Sequence, residues 1–332
     1  MADLSKITDW SKLKSMMDAK LDEGKERKID RQELLDHIRS RIKGQDPILE
    51  DAARLLYLQM AKTSTNKPIA SLLFLGPTGT GKTELAKAIT EYLFEDETNM
   101  LRIDCAELKT PESIVRLIGL PIGYIGWEQG GQLTRPMLSK PRRVVLFDEI
   151  EKAHNSIFDI FLAMLGEGRL TEQSSGKTAD FTQSVVILTS NAHADEIGKI
   201  QNEVKDPYEM VNAVKTHLAE AQVFRPEILG RIDRIYVFRP LEGMMVAEIA
   251  LLQIIRLAKQ YSLTVEFIAP ELIIQVLMSN EKVRRFGIRE MERVVFDLLA
   301  EPMAAARAER AKAIRLDVGP NGELAVSPVA AS

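Results

Sequence analysis

A lysine and a threonine behind a glycine-rich turn are the residues most clearly arranged for chemistry. The stretch Gly76-Pro77-Thr78-Gly79-Thr80-Gly81-Lys82-Thr83 has the G-x-x-x-x-G-K-[ST] spacing of a phosphate-binding loop. Glycines let the backbone wrap a phosphate with its N–H groups turned inward. Lys82 is placed to reach β- and γ-phosphates, and the Thr83 hydroxyl to ligate Mg²⁺. A second acidic pair, Asp148-Glu149, ends the apolar run Val144-Val145-Leu146-Phe147. There Asp148 suits Mg²⁺, directly or through water, and Glu149 suits orienting and polarising an attacking water. The chemistry implied is phosphoryl transfer from a nucleoside triphosphate to water.

Three weaker signals accompany these two. Ser190-Asn191 ends the apolar run 185–189, so Asn191 is placed to meet a γ-phosphate or the water; strand-end asparagine is also a common turn former. Arg225 and Arg231 flank a short helical turn, and an arginine aimed at a γ-phosphate can be worth about 10³–10⁵ in rate. The alternative for both is a surface ion pair. Arg289 follows Arg284-Arg285-Phe286-Gly287 at a helix start, either to reach over a nucleotide or as part of an ordinary basic cluster. His37, His154, His193, His217 and Cys105 show no metal-ligand spacing.

The elements that must hold these residues follow from pattern. Leu72 to Leu75 reads as a buried strand feeding the loop, and Glu84 to Ile89 as the helix after it, whose N-terminus adds partial positive charge. Further strands are expected at 101–104, 144–147 and 185–189, each buried on both faces, with helices at 111–118, 133–139 and 156–165. This alternation predicts a wound α/β domain with its ligand at the carboxyl edge of a parallel sheet. After Pro240 the pattern turns helical: 242–260, 270–279 and 288–307, with short strands at 264–267 and 314–318, and Pro302 kinking or ending the last helix. The predicted division is a charged helical extension over 1–40, a nucleotide domain over 41–239, a smaller mainly helical domain over 240–318 and a flexible tail over 319–332. The extension either packs on the next domain or on a neighbouring subunit, or stays solvated.

Composition narrows the class. The 332 residues carry 44 basic and 48 acidic side chains, a net charge of −4 that gives no general attraction to nucleic acid. One cysteine excludes an intrachain disulfide and fits a reducing compartment. There is no run apolar enough for a membrane span and no signal-peptide core at the N-terminus, so the expected location is the cytoplasm. The loop Gly119 to Gly131 combines glycines with Tyr124, Ile125 and Trp127. It reads either as a mobile, exposed contact surface or as a loop whose aromatics tuck into the core.

Taken together, residues from about 40 to 318 resemble the AAA+ module of the Clp family of ATP-dependent unfoldases and disaggregases. The second ATPase module of two-module members such as ClpA, ClpB, ClpC and ClpV is the nearest pattern. Beyond the two acidic and phosphate-loop motifs, the resemblance rests on Gly123-Tyr-Ile-Gly-Trp-Glu-Gln-Gly-Gly131, Gly168-Arg-Leu-Thr171, Thr189-Ser-Asn191, Phe224-Arg-Pro-Glu227, Arg231-Ile-Asp233 and Gly287-Ile-Arg289. It implies an α/β AAA+ P-loop NTPase fold with a helical C-terminal lid, and Mg²⁺ and ATP as cofactors. It also implies a homohexameric ring with the active site between subunits, and a polypeptide substrate drawn along the ring axis. On it, Asn191 resembles sensor 1, Arg231 the finger acting on a neighbour's ATP, and Arg289 the sensor 2 arginine, although Ile288 stands where the family has alanine. Ile42 and Lys43 resemble the adenine-side contact, with Lys43 departing from an apolar pattern. Tyr124, with Ile125, resembles the pore residue that grips substrate, and the hairpin around 168–176 would lie near the same pore.

Departures from the family shape the functional expectation. One ATPase module is present, and residues 1–40 are too short to replace the familiar N-terminal domain. The nearest string to a protease-docking loop is Ile197-Gly198-Lys199-Ile200, whose lysine suits an apolar pocket poorly. The expectation is an ATP-driven remodeller that does not dock a ClpP-like protease. The alternative is an ATP-dependent switch that binds one dedicated partner without threading it. A nucleic-acid motor is a third class, which the net charge disfavours.

Overall fold

The computed structural model describes residues 29–278, 288–319 and 324–329. The described residues open with helices α1 (Arg31–Arg41) and α2 (Asp46–Met60), then strand β1 (Ala70–Leu75) and helix α3 (Lys82–Phe94). Next come β2 (Met100–Asp104), α4 (Ile114–Ile118), α5 (Thr134–Ser139), β3 (Val144–Asp148) and α6 (Ile157–Glu167). A short hairpin, β4 (Arg169–Thr171) and β5 (Thr178–Asp180), precedes β6 (Val185–Ser190). Helices α7 (Ala194–Glu203), α8 (Pro207–Glu220) and α9 (Pro226–Arg231) lead to β7 (Arg234–Val237). The remainder holds α10 (Met244–Gln260), β8 (Thr264–Ile268), α11 (Pro270–Met278), α12 (Ile288–Ala308), β9 (Ala313–Val318) and β10 (Leu324–Val329).

Strands β2-β3-β6-β1-β7 form a parallel sheet in that order. Its two faces can be read from alternation along each inner strand. Leu73, Leu75, Val145, Phe147, Val186 and Leu188 enter one core, which α6 covers with Phe158, Phe161 and Met164. Leu72, Phe74, Val144, Leu146, Val185 and Ile187 enter the other, covered by α1, α2 and α3. β1, β3 and β6 are buried throughout, as their apolar runs predict. β2 differs: of its residues only Ile103 is buried. It is the sheet edge, where the charged Arg102 and Asp104 can reach solvent or a ligand. β7 was not anticipated, because Arg234-Ile-Tyr-Val is short and begins on a charge; pairing with β1 supplies the missing determinant.

The boundary expected at residue 40 falls inside α1. Asp30 caps that helix, accepting from the backbone N–H groups of Gln32 and Glu33 at 2.7 and 2.9 Å. Leu34 and Ile38 are fully buried in the core that α1 shares with α2, α3 and one face of the sheet, each contributing about 1.5–3 kcal/mol. This part of the extension therefore belongs to the main core. Residues 1–28 lie outside the described ones.

The region from Leu241 onward has its own core, built by α10, α11 and α12 with the small sheet β10-β9-β8. Two expectations are corrected here. Residues 324–329, assigned to a flexible tail, form a strand antiparallel to β9, pairing Leu324 with Val318 and Val329 with Ala313. Leu324 and Val326 pack against this core, and Pro328 is tolerated because the strand lies at the sheet edge. Pro302 does not end α12, which runs on to Ala308. Met291, Val295, Leu299, Met303 and Ala306 recur on one buried face, and their packing outweighs the hydrogen bond that proline forgoes. Among the described residues, no helix is long and apolar enough to cross a membrane.

Candidate active site

Sheet register gathers the polar residues. Leu75 pairs with Ser190 and Asp104 with Asp148, so the phosphate loop, the acidic pair and Asn191 all leave the sheet at its carboxyl edge. They meet in a cleft of about 490 Å³ lined by Ile42, Lys43, Thr78, Gly79, Thr80, Gly81, Lys82, Thr83, Asp148, Glu149 and Asn191. Its opposite wall is Leu241, Ile249, Leu252, Gln253, Arg256 and Glu292, from the C-terminal region.

Gly76 turns the chain out of β1 with φ +133°, and a Cβ there would lie 2.6 Å from the Phe238 carbonyl oxygen. Only glycine fits this crossing. Gly81 caps α3 in the left-handed region at φ +100°. The first-turn N–H groups of α3 thus face the cleft without a side-chain cap, a natural seat for an anion. Lys82 is buried, and its ammonium donates to the carbonyls of Gly76 at 2.5 Å and Pro77 at 2.8 Å. Gly76 and Pro77 do not line the cleft themselves; they hold the lysine beneath the loop. Burial pushes the Lys82 amine down to about 8, against the opposing charges of Glu151, Asp148 and Glu149.

Asp148 ends β3 almost buried. Arg102 of β2 donates to its Oδ2 at 2.6 Å, and the Thr189 hydroxyl donates to its Oδ1. The same hydroxyl accepts the Glu149 N–H at 3.1 Å. Glu149 sits at φ 55°, ψ 52°, a left-handed conformation rarely adopted by a glutamate and of the kind that clusters at functional sites. Its carboxylate pairs with Lys152. The Asn191 N–H donates to Glu151 Oε1 at 3.4 Å, while Glu151 Oε2 is buried without a hydrogen-bond partner. The donor set fits a polyphosphate on the loop side. On the acid side, Thr83 and Asp148 offer the hard oxygens that Mg²⁺ takes.

Other expected site residues lie elsewhere. Arg231 is exposed at the end of α9 and outside the cleft, its guanidinium donating to the Leu162 carbonyl of α6. Arg225 forms the surface ion pair weighed for it, with Asp159 at 2.7 Å. The backbone of Arg289 is the second residue of α12, and its side chain lies outside the described residues. Tyr124 is 63% exposed and Ile125 fully exposed, so the reading in which the loop's aromatics tuck into the core fails for Tyr124, while Trp127 is half-buried. The base of their loop is pinned to the β4–β5 hairpin: Glu172 accepts the Gly131 N–H at 3.1 Å, and Gln173 N–H donates to the Ile118 carbonyl at 2.8 Å. His193 and His217 share a 3.0 Å hydrogen bond, and no group of three metal-ligating side chains occurs among the described residues.

Sequence reasoning missed Arg41, Glu84, Arg102 and Arg256, all of which line the cleft. For Arg102 a signal existed: Arg102 and Asp104 alternate within the otherwise apolar Met100–Asp104, which marks one polar face of an edge strand. The others have no local pattern.

The family model described as "AAA domain (Cdc48 subfamily)" matches residues 67–235. Chaperone protein ClpB of Gloeobacter violaceus is 40% identical over 281 residues, covering 82% of this chain and 31% of that protein. Heat shock protein 100 of Trypanosoma brucei brucei is 45% identical over 216 residues, covering 64% of this chain and 24% of that protein. The Bacillus subtilis negative regulator of genetic competence ClpC/MecB is 38% identical over 309 residues, covering 88% and 37%. The chain spans about a third or less of the length of the first relatives it matches. With the parallel sheet, the phosphate-loop cleft and these matches together, the chain belongs to the AAA family as a nucleotide-binding, Clp-type AAA+ ATPase module.

Proposed function

We propose that this chain is a ring-forming, Mg·ATP-driven protein remodeller that pulls polypeptide with the Tyr124 loop. The observation that carries the reading is the exposed apolar tip Ile122, Tyr124 and Ile125, 66%, 63% and 102% accessible, on a loop whose base is strapped to a hairpin. Three apolar side chains held out in water on a pinned loop suit sequence-tolerant contact with an extended chain. The name chaperone protein ClpB, carried by several of the relatives, supports the same reading.

Bound Mg·ATP would supply the phosphoanhydride bond to be cleaved. Lys82 and the N–H groups of α3 would hold its phosphates, and Thr83 and Asp148 would hold the metal. Glu149 orients and polarises the water, and Asn191 positions it against the γ-phosphate. Ile42 and Lys43 flank the base, and Arg289 acts from the lid. Arg231 lies outside the cleft of its own chain, which favours action on a neighbouring subunit's nucleotide. A closed homohexamer provides that neighbour for every subunit. The string Ile197-Gly198-Lys199-Ile200 is helical within α7 with Ile197 buried, which supports action without a ClpP-like protease.

A photocrosslinker placed at position 124 tests the reading in the Glu149→Gln background. ATP-dependent crosslinking to an unfolded polypeptide is expected. Crosslinks confined to one folded partner would instead favour the binding-switch alternative.

A further inference from the structure

Glu84, the residue after Thr83, gathers charges from two distant parts of the chain. Its Oε1 accepts from Arg41 Nε at 2.9 Å and Nη2 at 2.7 Å, and from Arg256 Nη2 at 2.5 Å. Arg41 is the last residue of α1 and immediately precedes Ile42 and Lys43 on one wall of the cleft. Arg256 lies on α10, one turn beyond Leu252 and Gln253 on the facing wall. Arg41 has further carboxylates in Glu91 and Glu97, both at 2.6 Å. The cluster is partly shielded, with the side chains of Arg41 and Glu84 17% and 22% exposed. Burial would raise the Glu84 carboxyl, but the hydrogen bond from Arg41 and the charges of Arg256 and Arg41 hold it below the usual range.

We propose that Glu84 is a positioning residue for nucleotide retention: it latches α10 through Arg256, and the segment before Ile42 through Arg41, to the first turn of the phosphate-loop helix. Neither Glu84 nor Arg256 has a role in the phosphate chemistry. The latch fixes how far the two walls stand apart, and so how readily a bound nucleotide leaves. The inference rests on the ATPase site alone and is independent of polypeptide threading.

Stopped-flow release of a fluorescent ADP analogue (mant-ADP) measures the latch. Arg256→Met is expected to speed release about tenfold and to raise KM for ATP with a much smaller change in kcat. Arg256→Lys, which keeps the charge, should stay within about threefold of the wild type. Glu84→Gln should release at least as fast as Arg256→Met, and the double variant no faster than Glu84→Gln alone, since the second change removes a contact already lost. Release unchanged in Arg256→Met overturns the proposal, even if the melting temperature falls, because that would leave Arg256 a merely structural role. So do effects of Arg256→Met and Glu84→Gln that multiply in the double variant. If Glu84→Gln does not fold, the Arg256→Met and Arg256→Lys pair decides.

Discussion

The phosphate end of the cleft and the Tyr124 loop are built on opposite plans. At the phosphate end, three fully buried strands in parallel register hold Gly76, Asp148 and Asn191 against one another. Lys82 is buried and committed to two carbonyls, and Thr189 ties Asp148 to Glu149. At the loop only the base is fixed, by Glu172 and Gln173, and the tip is turned to solvent. The first arrangement preorganises charge for a reaction. The second leaves surface available for contact. A change at the phosphate end should therefore cost chemistry or stability, and a change at the loop tip should cost only work done on a substrate.

The largest effect expected is on turnover. Glu149→Gln should retain ATP binding but lose about 10²–10⁴ in hydrolysis, the range typical of a removed general base. Single-turnover ATPase with a parallel binding titration measures both; normal hydrolysis would remove Glu149 from its role. Arg231→Ala should also lose hydrolysis, about 10³-fold or more if it acts as a finger. Its activity should return in part when it is mixed with a Lys82→Ala chain, since a mixed interface can pair the intact arginine of one with the intact loop of the other. Absence of any rescue would argue that Arg231 does not act across subunits.

Stability separates the two regions next. Phe147→Ala, which empties a fully buried site packed edge-to-face on Phe161, should cost about 3–5 kcal/mol. Ile125→Ala should stay within about 0.5 kcal/mol. Denaturant unfolding of both variants tests the contrast, and a large loss in Ile125→Ala would mean that the tip packs against something.

The smallest effect expected is one of pH. Burial holds the Lys82 amine down at about 8, and bound phosphates favour its charged form. Affinity for ATP should accordingly fall as pH rises above about 8, by no more than about tenfold per unit for one proton. For folding the sign is opposite. A lysine depressed by burial opposes the fold while it is charged, and that cost fades as pH rises from about 8 toward its unfolded value. Binding titrations between pH 7 and 9 measure the first effect, and an affinity independent of pH there would place the Lys82 titration elsewhere.

What could be read in the sequence divides along the same line. Phosphate loop, acidic pair and inner strands were legible because each is a local pattern: a fixed glycine spacing, or an apolar run ending in acids. Their meeting in one cleft follows from the parallel sheet that such alternation implies. The ion pairs joining Glu84 to Arg41 and Arg256 span 43 and 172 positions, and no local pattern announces them. The pairing of β10 with β9 was hidden for another reason, since Gly319-Pro320-Asn321-Gly322 reads as a chain end and equally as a turn. Arg102 was legible only beside Asp104: two alternating charges in an apolar run mark a polar face, which the edge position of the strand explains.

Under the proposed function, cleft and loop perform separable halves of one task. This separation is tested most directly by measuring ATP hydrolysis and unfolding of a fluorescent protein substrate in the same sample of Tyr124→Ala. The account predicts basal hydrolysis near that of the wild type and unfolding reduced to background. Unfolding that continues at the wild-type rate in this variant would contradict it.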